Sequence, residues 1–397
     1  MKSVEIPKYV NNILDLLEEK GEAAYIVGGS LRDSLLGLSP NDYDVATSAL
    51  PEKTREIFMG AGKKVIDTGI KHGTVTVLWD SHPVEITTFR IDGSYTDSRH
   101  PDGVSFTDRI EEDLSRRDFT VNAMAYSPKR GFVDVFGGRE DLDSGILRAV
   151  REPAERFRED ALRILRAYRF SAQLGFSIEE KTAEAAVVCR DGLAMLSAER
   201  VFTELYKLLE AKCPEAALAH MKQKGILSYV LAGYLPSDRL IGLVGQVKGD
   251  GAARLGFLLG DADEDTARDI LTGLKCSNKQ KTAALAVRRA MGFELNCPRD
   301  VGKLRALSGD YSSFAVSALV AIGKAPAEAE SWLAESRAPR SASELAISGR
   351  DIMALGARGA EIGEAMKKLL DAAIDSPELN EREALLALAK KILDSRS

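Results

Sequence analysis

Val10, Ile13, Leu14 and Leu17 recur at the spacing of one helical face, with Pro7 ahead of them and Gly21 behind. This predicts a short amphipathic helix at the N-terminus. The pattern then changes to runs rich in Val, Ile, Thr and aromatic residues. Residues 24–28, 42–46, 74–79, 84–89 and 133–136 read as strands, and 31–36 and 52–59 as helices among them. From about Glu155 the strand signal stops. Ala161, Leu162, Leu165 and Tyr168, then Val201, Phe202, Leu205, Leu208 and Leu209, keep helical spacing, and the remainder is rich in Ala, Leu, Glu, Lys and Arg, which favour helix. Breaks are expected around 248–252 and 325–343, and no repeat of fixed period is present. The predicted architecture is a mixed α/β head to about residue 145 followed by a long all-α arm.

The chain has 397 residues, enough for about two to four domains with ample core. With 45% hydrophobic and 29% charged residues it has the composition of an ordinary globular protein. No apolar run approaches the roughly 18 residues of a membrane span. The amphipathic N-terminal segment does not read as a signal peptide, so a cytoplasmic protein without membrane association is expected. Cys189, Cys213, Cys276 and Cys297 are far apart and form neither a CxxC pair nor zinc spacing, which points to reduced structural thiols. His72, His82, His100 and His220 are equally scattered, with no His-Asp doublet, so a metal phosphohydrolase module is not expected. A net charge of −6 argues against a large indiscriminate nucleic-acid surface but leaves room for a local basic stripe.

The chemistry concentrates at Gly28-Gly29-Ser30-Leu31-Arg32-Asp33, followed after seven residues by Asn41-Asp42-Tyr43-Asp44-Val45. If 42–46 is a strand, Asp42 and Asp44 point to the same side. Two such carboxylates can hold Mg²⁺, an ion that prefers hard oxygen ligands. The Gly-Gly-Ser turn offers backbone N–H groups to a phosphate at a helix start, with Arg32 nearby. Phosphate cradle and paired carboxylates together point to nucleotidyl transfer by two metal ions. Glu85, a charge within an otherwise apolar strand, is the candidate for a third carboxylate.

Three further stretches carry candidate chemistry. In Glu111-Glu112-Asp113-Leu114-Ser115-Arg116-Arg117-Asp118-Phe119-Thr120-Val121-Asn122-Ala123, Arg117 can neutralise a triphosphate and Asp118 can orient it or accept from a sugar hydroxyl; the alternative is a solvated charged helix with i,i+4 pairs. In Arg158-Glu159-Asp160-Ala161-Leu162-Arg163, continued by Arg166 and Arg169, helical spacing makes Asp160 and Arg163 neighbours and lines the arginines along one ridge. Cytosine and adenine each present an amino donor beside a ring acceptor, which Asp and Arg can serve; guanine and uracil present the reverse order and leave buried groups unpaired. The alternative is a surface salt-bridge ladder of little energetic worth. The polar stretch between Arg90 and Thr107 is either an active-site loop or an ordinary solvent loop.

The Gly28–Asp33 and Asp42-x-Asp44 elements, the Arg116–Ala123 block, Asp134-Val135-Phe136-Gly137-Gly138 and Arg158–Arg163 stand in the order seen in tRNA nucleotidyltransferases. The chain resembles a bacterial CCA-adding enzyme of the second class. Leu274-Lys275-Cys276-Ser277-Asn278-Lys279 and Ile347-Ser348-Gly349-Arg350-Asp351-Ile352 resemble the later parts of these enzymes, more loosely after about residue 210.

The resemblance implies an α+β chain. A polymerase-β-like nucleotidyltransferase head (1–145) would be followed by a helical neck (146–210), body (211–275) and tRNA-binding tail (276–397). It implies template-free addition of C, C and A to the tRNA 3′ end from CTP and ATP, with Mg²⁺ held by Asp42 and Asp44. Gly29 and Arg32 would contact the phosphates. Arg117, Asp118, Asp160, Arg163, Arg166 and Arg169 would shape the nucleotide pocket, with Asp160 and Arg163 reading the base. The arm would grip tRNA by backbone and shape. A CC-adding or A-adding relative is the first alternative. Bacterial poly(A) polymerases stand further off: they carry Pro where this chain has Ala161, and a basic C-terminal extension where it ends in mixed charge. An RNA-binding protein with a dead head would be expected to lose Asp42 or Asp44, and both are intact. The oligomeric state is left open between monomer and homodimer.

Overall fold

The computed structural model describes residues 4–93 and 104–395. Its contacts divide the chain into two compact units, Met1–Leu196 and Ser197–Ser397.

The first unit opens with helix α1 (Lys8–Glu19), which buries Val10, Ile13, Leu14 and Leu17, the stripe its spacing predicts. Strand β1 (Ala24–Val27) runs straight into α2 (Gly28–Leu36). Then follow β2 (Asp44–Thr47), α3 (Pro51–Gly60), β3 (Lys64–Gly69), β4 (Thr74–Trp79) and β5 (His82–Thr88). Strands β6 (Arg90–Asp92) and β7 (Val104–Phe106) pair with each other as a two-stranded antiparallel ribbon. Next come α4 (Ile110–Ser115), a short 3-10 turn (Thr120–Asn122), β8 (Met124–Ser127), β9 (Gly131–Asp134) and α5 (Gly138–Ser144). Two-residue strands β10 (Ile146–Leu147) and β11 (Ser177–Ile178) flank α6 (Pro153–Glu159) and α7 (Leu162–Leu174), and α8 (Glu180–Cys189) follows.

The main sheet has seven strands in the order β3-β4-β5-β2-β1-β8-β9. Its pairings are antiparallel except for β2 with β5. Alternation along each strand divides the side chains between two cores. Ile26, Val45, Val75, Val77, Val84 and Ile86 pack with α1 and α3. Tyr25, Val27, Ala46 and Ala125 pack with Ile110 and Leu114 of α4. Asp44 and Glu85 alternate with Val45 and with Val84 and Ile86, so they stand on the α4 side.

Several expected boundaries move. Gly28 starts α2 rather than ending β1, because its left-handed backbone, φ +70°, turns the chain out of the strand. Asp42 precedes β2, whose pairing with β1 ends at Val27–Asp44, so strand alternation does not set the direction of Asp42. The strand expected over 133–136 is Gly131–Asp134, and Asp134 instead caps α5 by accepting from the Gly138 and Arg139 N–H groups at 2.8 Å each. The strand signal does not stop at Glu155, since β11 pairs in parallel with β10. Of the residues expected in a polar loop, 94–103 lie outside the described ones.

Among its described residues the second unit is helical and contains no strand. Its first helix, Ala198–Leu209, buries the expected Val201, Phe202, Leu205, Leu208 and Leu209. The break near 248–252 is shorter than expected: Asp250 caps the helix Gly251–Leu258, its carboxylate accepting from the Ala252 and Ala253 N–H groups at 3.0 Å each. The break over 325–343 encloses a further helix, Ala329–Glu335. Helices Gly251–Leu258 and Asn278–Ala290 cross with the backbone of Ala284 against Gly256. Towards the C-terminus Ile352, Leu369, Leu385 and Ala389 share a separate core cluster. Among the described residues no helix is long and apolar enough to cross a membrane.

Candidate active site

Every catalytic and nucleotide-binding candidate read from the sequence falls in the first unit, and the structure sets most of them in three groups.

The first group surrounds the start of α2. A Cβ placed on Gly28 would lie 3.0 Å from Arg117 Nη1 and 3.8 Å from Asp44 Oδ2, so this glycine lets a guanidinium and a carboxylate close against the turn. Arg117 is anchored from behind: its Nη2 donates to Asp113 Oδ2 at 3.2 Å, and Arg116 Nε donates to Asp113 Oδ1 at 2.9 Å. Asp113 is 1% exposed. Burial alone would raise its carboxyl, but the charges and hydrogen bonds of Arg116 and Arg117 hold it below the usual carboxylate range. Arg117 Nε is buried with no hydrogen-bond partner among the described residues.

Asp44 opposes Glu85 in the parallel register of β2 with β5. The Asp44 carboxyl is pushed up to about 6, first by loss of solvation; the charge of Arg117 opposes the rise, while Asp42 and Glu85 add to it. Three acids therefore act on one another at the mouth of the α2 turn, although Asp42 is outside the strand expected to align it. Among the described residues no three His, Cys, Asp or Glu side chains converge as a preformed metal cage.

The second group is a chain of polar contacts. Arg32 Nη1 donates to Asn122 Oδ1 at 2.8 Å, Asn122 Nδ2 donates to Asp118 Oδ1 at 3.1 Å, and Asp118 Oδ2 accepts from Arg166 Nε and Nη2 at 2.8 and 2.6 Å. Arg32 Nε also donates to Asp33 Oδ1 at 2.8 Å. Burial would raise the Asp118 carboxyl, but the Arg166 charge and the Asn122 and Arg166 hydrogen bonds prevail and hold it at about 2. The helix considered for this block is α4, which buries Ile110, Asp113, Leu114 and Ser115 and is therefore not solvated all round, and Asp118 to Asn122 lie beyond its end.

The third group corrects the predicted ridge. Asp160 does not lie on a helix with Arg163; it is the extended residue between α6 and α7, with φ −148° and ψ 103°. Its carboxylate accepts from the Leu162 N–H at 3.0 Å, the short-range bond by which Asp starts a new helix. Arg163 is buried and donates to Glu159 Oε2 at 2.6 Å, the Arg156 carbonyl at 3.0 Å and the Arg116 carbonyl at 3.2 Å. Local acids thus do engage this ridge, Glu159 at Arg163 and Asp118 at Arg166, while Arg169 Nη1 donates to Gln173 Oε1 at 3.0 Å. Asp113, Asn122, Glu159 and Phe170 are the site residues that sequence reasoning left without roles. Three of these lay inside the motifs, and Phe170 directly follows Arg169.

The model for the poly(A) polymerase head domain matches residues 24–148, and the model for a probable RNA and SrmB-binding site of polymerase A matches residues 175–236. A CCA-adding enzyme of Leuconostoc mesenteroides is 34% identical over the whole of both chains. The chain belongs to the bacterial class II CCA-adding enzymes. A CCA-adding enzyme of Enterococcus faecalis, also 34% identical, covers 98% of this chain and 98% of its own. The structure of the Bacillus stearothermophilus CCA-adding enzyme in complex with CTP is 32% identical, covers 98% of this chain and 99% of that one, and superposes with a TM-score of 0.83. The Thermotoga maritima CCA-adding enzyme complexed with tRNA shares the fold at 22% identity and a TM-score of 0.71, covering 100% of this chain and 97% of that one.

Proposed function

We propose that this family member completes the 3′ end of tRNA, adding C, C and A from CTP and ATP and releasing diphosphate. The observation that carries the reading is the closure of Arg117 and Asp44 on the Gly28 turn, with Glu85 beside Asp44. Anion-binding and acidic groups meet there at a helix N-terminus, the arrangement that phosphoryl transfer to a hydroxyl needs. The orphaned Arg117 Nε supports a phosphate at this point.

The donor set suits a divalent cation. The carboxylates of Asp42 and Asp44 would hold it, offsetting the lost solvation and the neighbouring acids that raise Asp44, and phosphates and water would supply the remaining oxygens that Mg²⁺ prefers. When bound, such ions favour ionisation of the 3′-hydroxyl and neutralise the leaving diphosphate. Glu85 is assigned to the same acidic cluster. The N–H groups at Gly28 and Gly29, with Arg32 and Arg117, bind and orient the triphosphate. Asp118 faces the sugar, and Arg166 and Arg169 complete the pocket wall.

Asp160 and Arg163 read the base edge across the joint between α6 and α7. A guanidinium has five N–H donors, more than the three contacts of Arg163 require. Within the two compact units we retain the head (1–145), neck (146–210), body (211–275) and tail (276–397) as working divisions, with tRNA on the helical arm and the enzyme in the cytoplasm.

The test is extension of a tRNA lacking its last three residues, resolved at single nucleotides, with CTP alone, ATP alone and both. Two additions with CTP and a third only with ATP as well are expected. A halt after two additions with both nucleotides, extension only of tRNA already ending in CC, or a long A ladder would each replace the proposal with a different member of the superfamily.

A further inference from the structure

Three of the arginines assigned to the nucleotide share one aromatic neighbour. The Phe170 ring centre lies 5.1 Å from the guanidinium carbon of Arg32, 5.3 Å from that of Arg166 and 4.0 Å from that of Arg169. Arg166 and Phe170 are four residues apart on α7 and so occupy one face. Arg32 comes from α2, the helix whose start forms the phosphate turn. One ring therefore touches arginines from the two helices that serve opposite ends of the nucleotide.

The ring itself is fixed. Phe170 is 7% exposed, and the fully buried Phe119 meets it edge to face at 5.9 Å. Both belong to the large core cluster of the first unit. A guanidinium against an aromatic ring gives up little, because the π-face attracts the charge while the N–H edge stays free for in-plane acceptors. Those acceptors are present: Asp33 and Asn122 for Arg32, Asp118 for Arg166 and Gln173 for Arg169. Carboxylates meet Arg32 and Arg166, an amide oxygen meets Arg169, and the ring is the neighbour that all three guanidiniums have in common.

We propose that Phe170 is a positioning residue for the nucleotide: its ring holds Arg32, Arg166 and Arg169 as one array, so that phosphate contacts and base-side contacts are set jointly. Phe170 touches no reacting atom. The inference rests on the nucleotide-site reading above, and two readouts keep them apart: tRNA extension by the wild-type protein tests the reaction, and calorimetric titration with CTP and with ATP tests the array.

Phe170→Leu keeps an apolar side chain of similar bulk and removes the π-face. It should weaken binding of both nucleotides, and raise both KM values, on the order of tenfold, with kcat nearly unchanged. Phe170→Tyr should restore both. Phe58→Leu removes a fully buried ring from the same core cluster, remote in sequence from these arginines, and should lower thermal stability without raising KM. Should Phe170→Leu fail to fold, Phe170→Met gives the same reading with a more adaptable side chain. Unchanged nucleotide affinity in the folded variant would overturn the proposal, as would a Tyr variant no better than Leu or a Phe58→Leu variant with the same rise in KM. A wild-type protein that extends no tRNA but binds CTP would sink the reaction and leave the array measurable; one that binds neither nucleotide would sink both.

Discussion

Asp44 and Glu85 are register partners across the parallel pairing of β2 with β5 and leave the sheet on the same face. Loss of solvation raises the Asp44 carboxyl first, Arg117 opposes the rise, and Asp42 and Glu85 add to it, so an ionised Asp44 costs stability. The Asp44 carboxyl has a folded-state value of about 6, above the ordinary 3.8. Stability is therefore lost as pH rises between these values, and the loss is complete above the upper one. Asp44→Asn should raise the thermal midpoint of the metal-free protein at neutral pH, by the equivalent of about 1 kcal/mol once solvent screening is allowed for. The gain should vanish below the lower value, and nucleotide addition should be abolished. Calorimetry at two pH values decides it; an equal effect at both would mean the Asp44 carboxyl is not raised in the folded state.

Asp118 works in the opposite sense. Burial raises its carboxyl, but Arg166 and Asn122 hold it at about 2, so its contribution to stability is present above the ordinary value of 3.8 and is lost as pH falls towards 2. Asp118→Ala removes the partner of a half-buried guanidinium and should cost about 2 kcal/mol at neutral pH. Urea denaturation across the acid range should show the wild type losing this margin and the variant lacking it. A cost that does not depend on pH would indicate lost packing instead.

Gly28 serves both backbone and site. With φ +70° and Arg117 Nη1 at 3.0 Å from a Cβ position, Gly28→Ala should cost about 1–2 kcal/mol. It should also lower nucleotide addition by more than tenfold, because Arg117 must retreat. Gly29 has a negative φ and its Cβ position lies 3.6 Å from Arg32 Nη2, an ordinary contact, so Gly29→Ala should be milder in stability. Parallel unfolding and activity measurements on the two variants give the comparison.

Much of this site was legible because motif and element boundaries nearly coincide. Val10, Ile13, Leu14 and Leu17 announced α1 by spacing alone, and β4 was read to its ends. Two strands of the main sheet were missed. β3 is an edge strand whose Lys64, Ile66, Asp67 and Thr68 are exposed, so it has no apolar alternation to read. β8 follows directly on the Arg116–Ala123 block and was absorbed into it. The joint at Asp160 was hidden because spacing by threes looks helical through a break; only the Asp160 carboxylate bonding to the Leu162 N–H reveals it. The role of Phe170 needed three dimensions, since Arg32 is far from it in sequence.

In the helical unit, a Cβ on Gly256 would overlap the backbone of Ala284 where helices Gly251–Leu258 and Asn278–Ala290 cross. Gly251–Leu258 buries all but Arg254, and Asn278–Ala290 buries the run from Ala283 to Val287 that includes the crossing, so they cannot part cheaply. Gly256→Ala should destabilise this unit by about 2–3 kcal/mol despite the better helix propensity of alanine. Chemical denaturation measures it, and a neutral or stabilising result would mean the crossing is looser than it looks.

Selectivity is the last expectation. Asp160→Ala or Arg163→Ala should raise incorporation of UTP and GTP relative to CTP and ATP by tenfold or more, the order of one unpaired buried polar group. Competition assays with mixed nucleotides read the ratio directly. If both variants keep wild-type discrimination, the base is read elsewhere.

Asp160 is the extended residue between two helices, whereas Arg163 lies within the second of them. Their separation is therefore governed by a pair of backbone torsions and not by a rigid helical repeat. A small swivel of α6 against α7 would open or narrow the gap between carboxylate and guanidinium and, on the base-reading proposed for this pair, the size of base that fits. Substitutions in α6 that never meet a nucleotide, at Phe157 for instance, could then retune which letter is written.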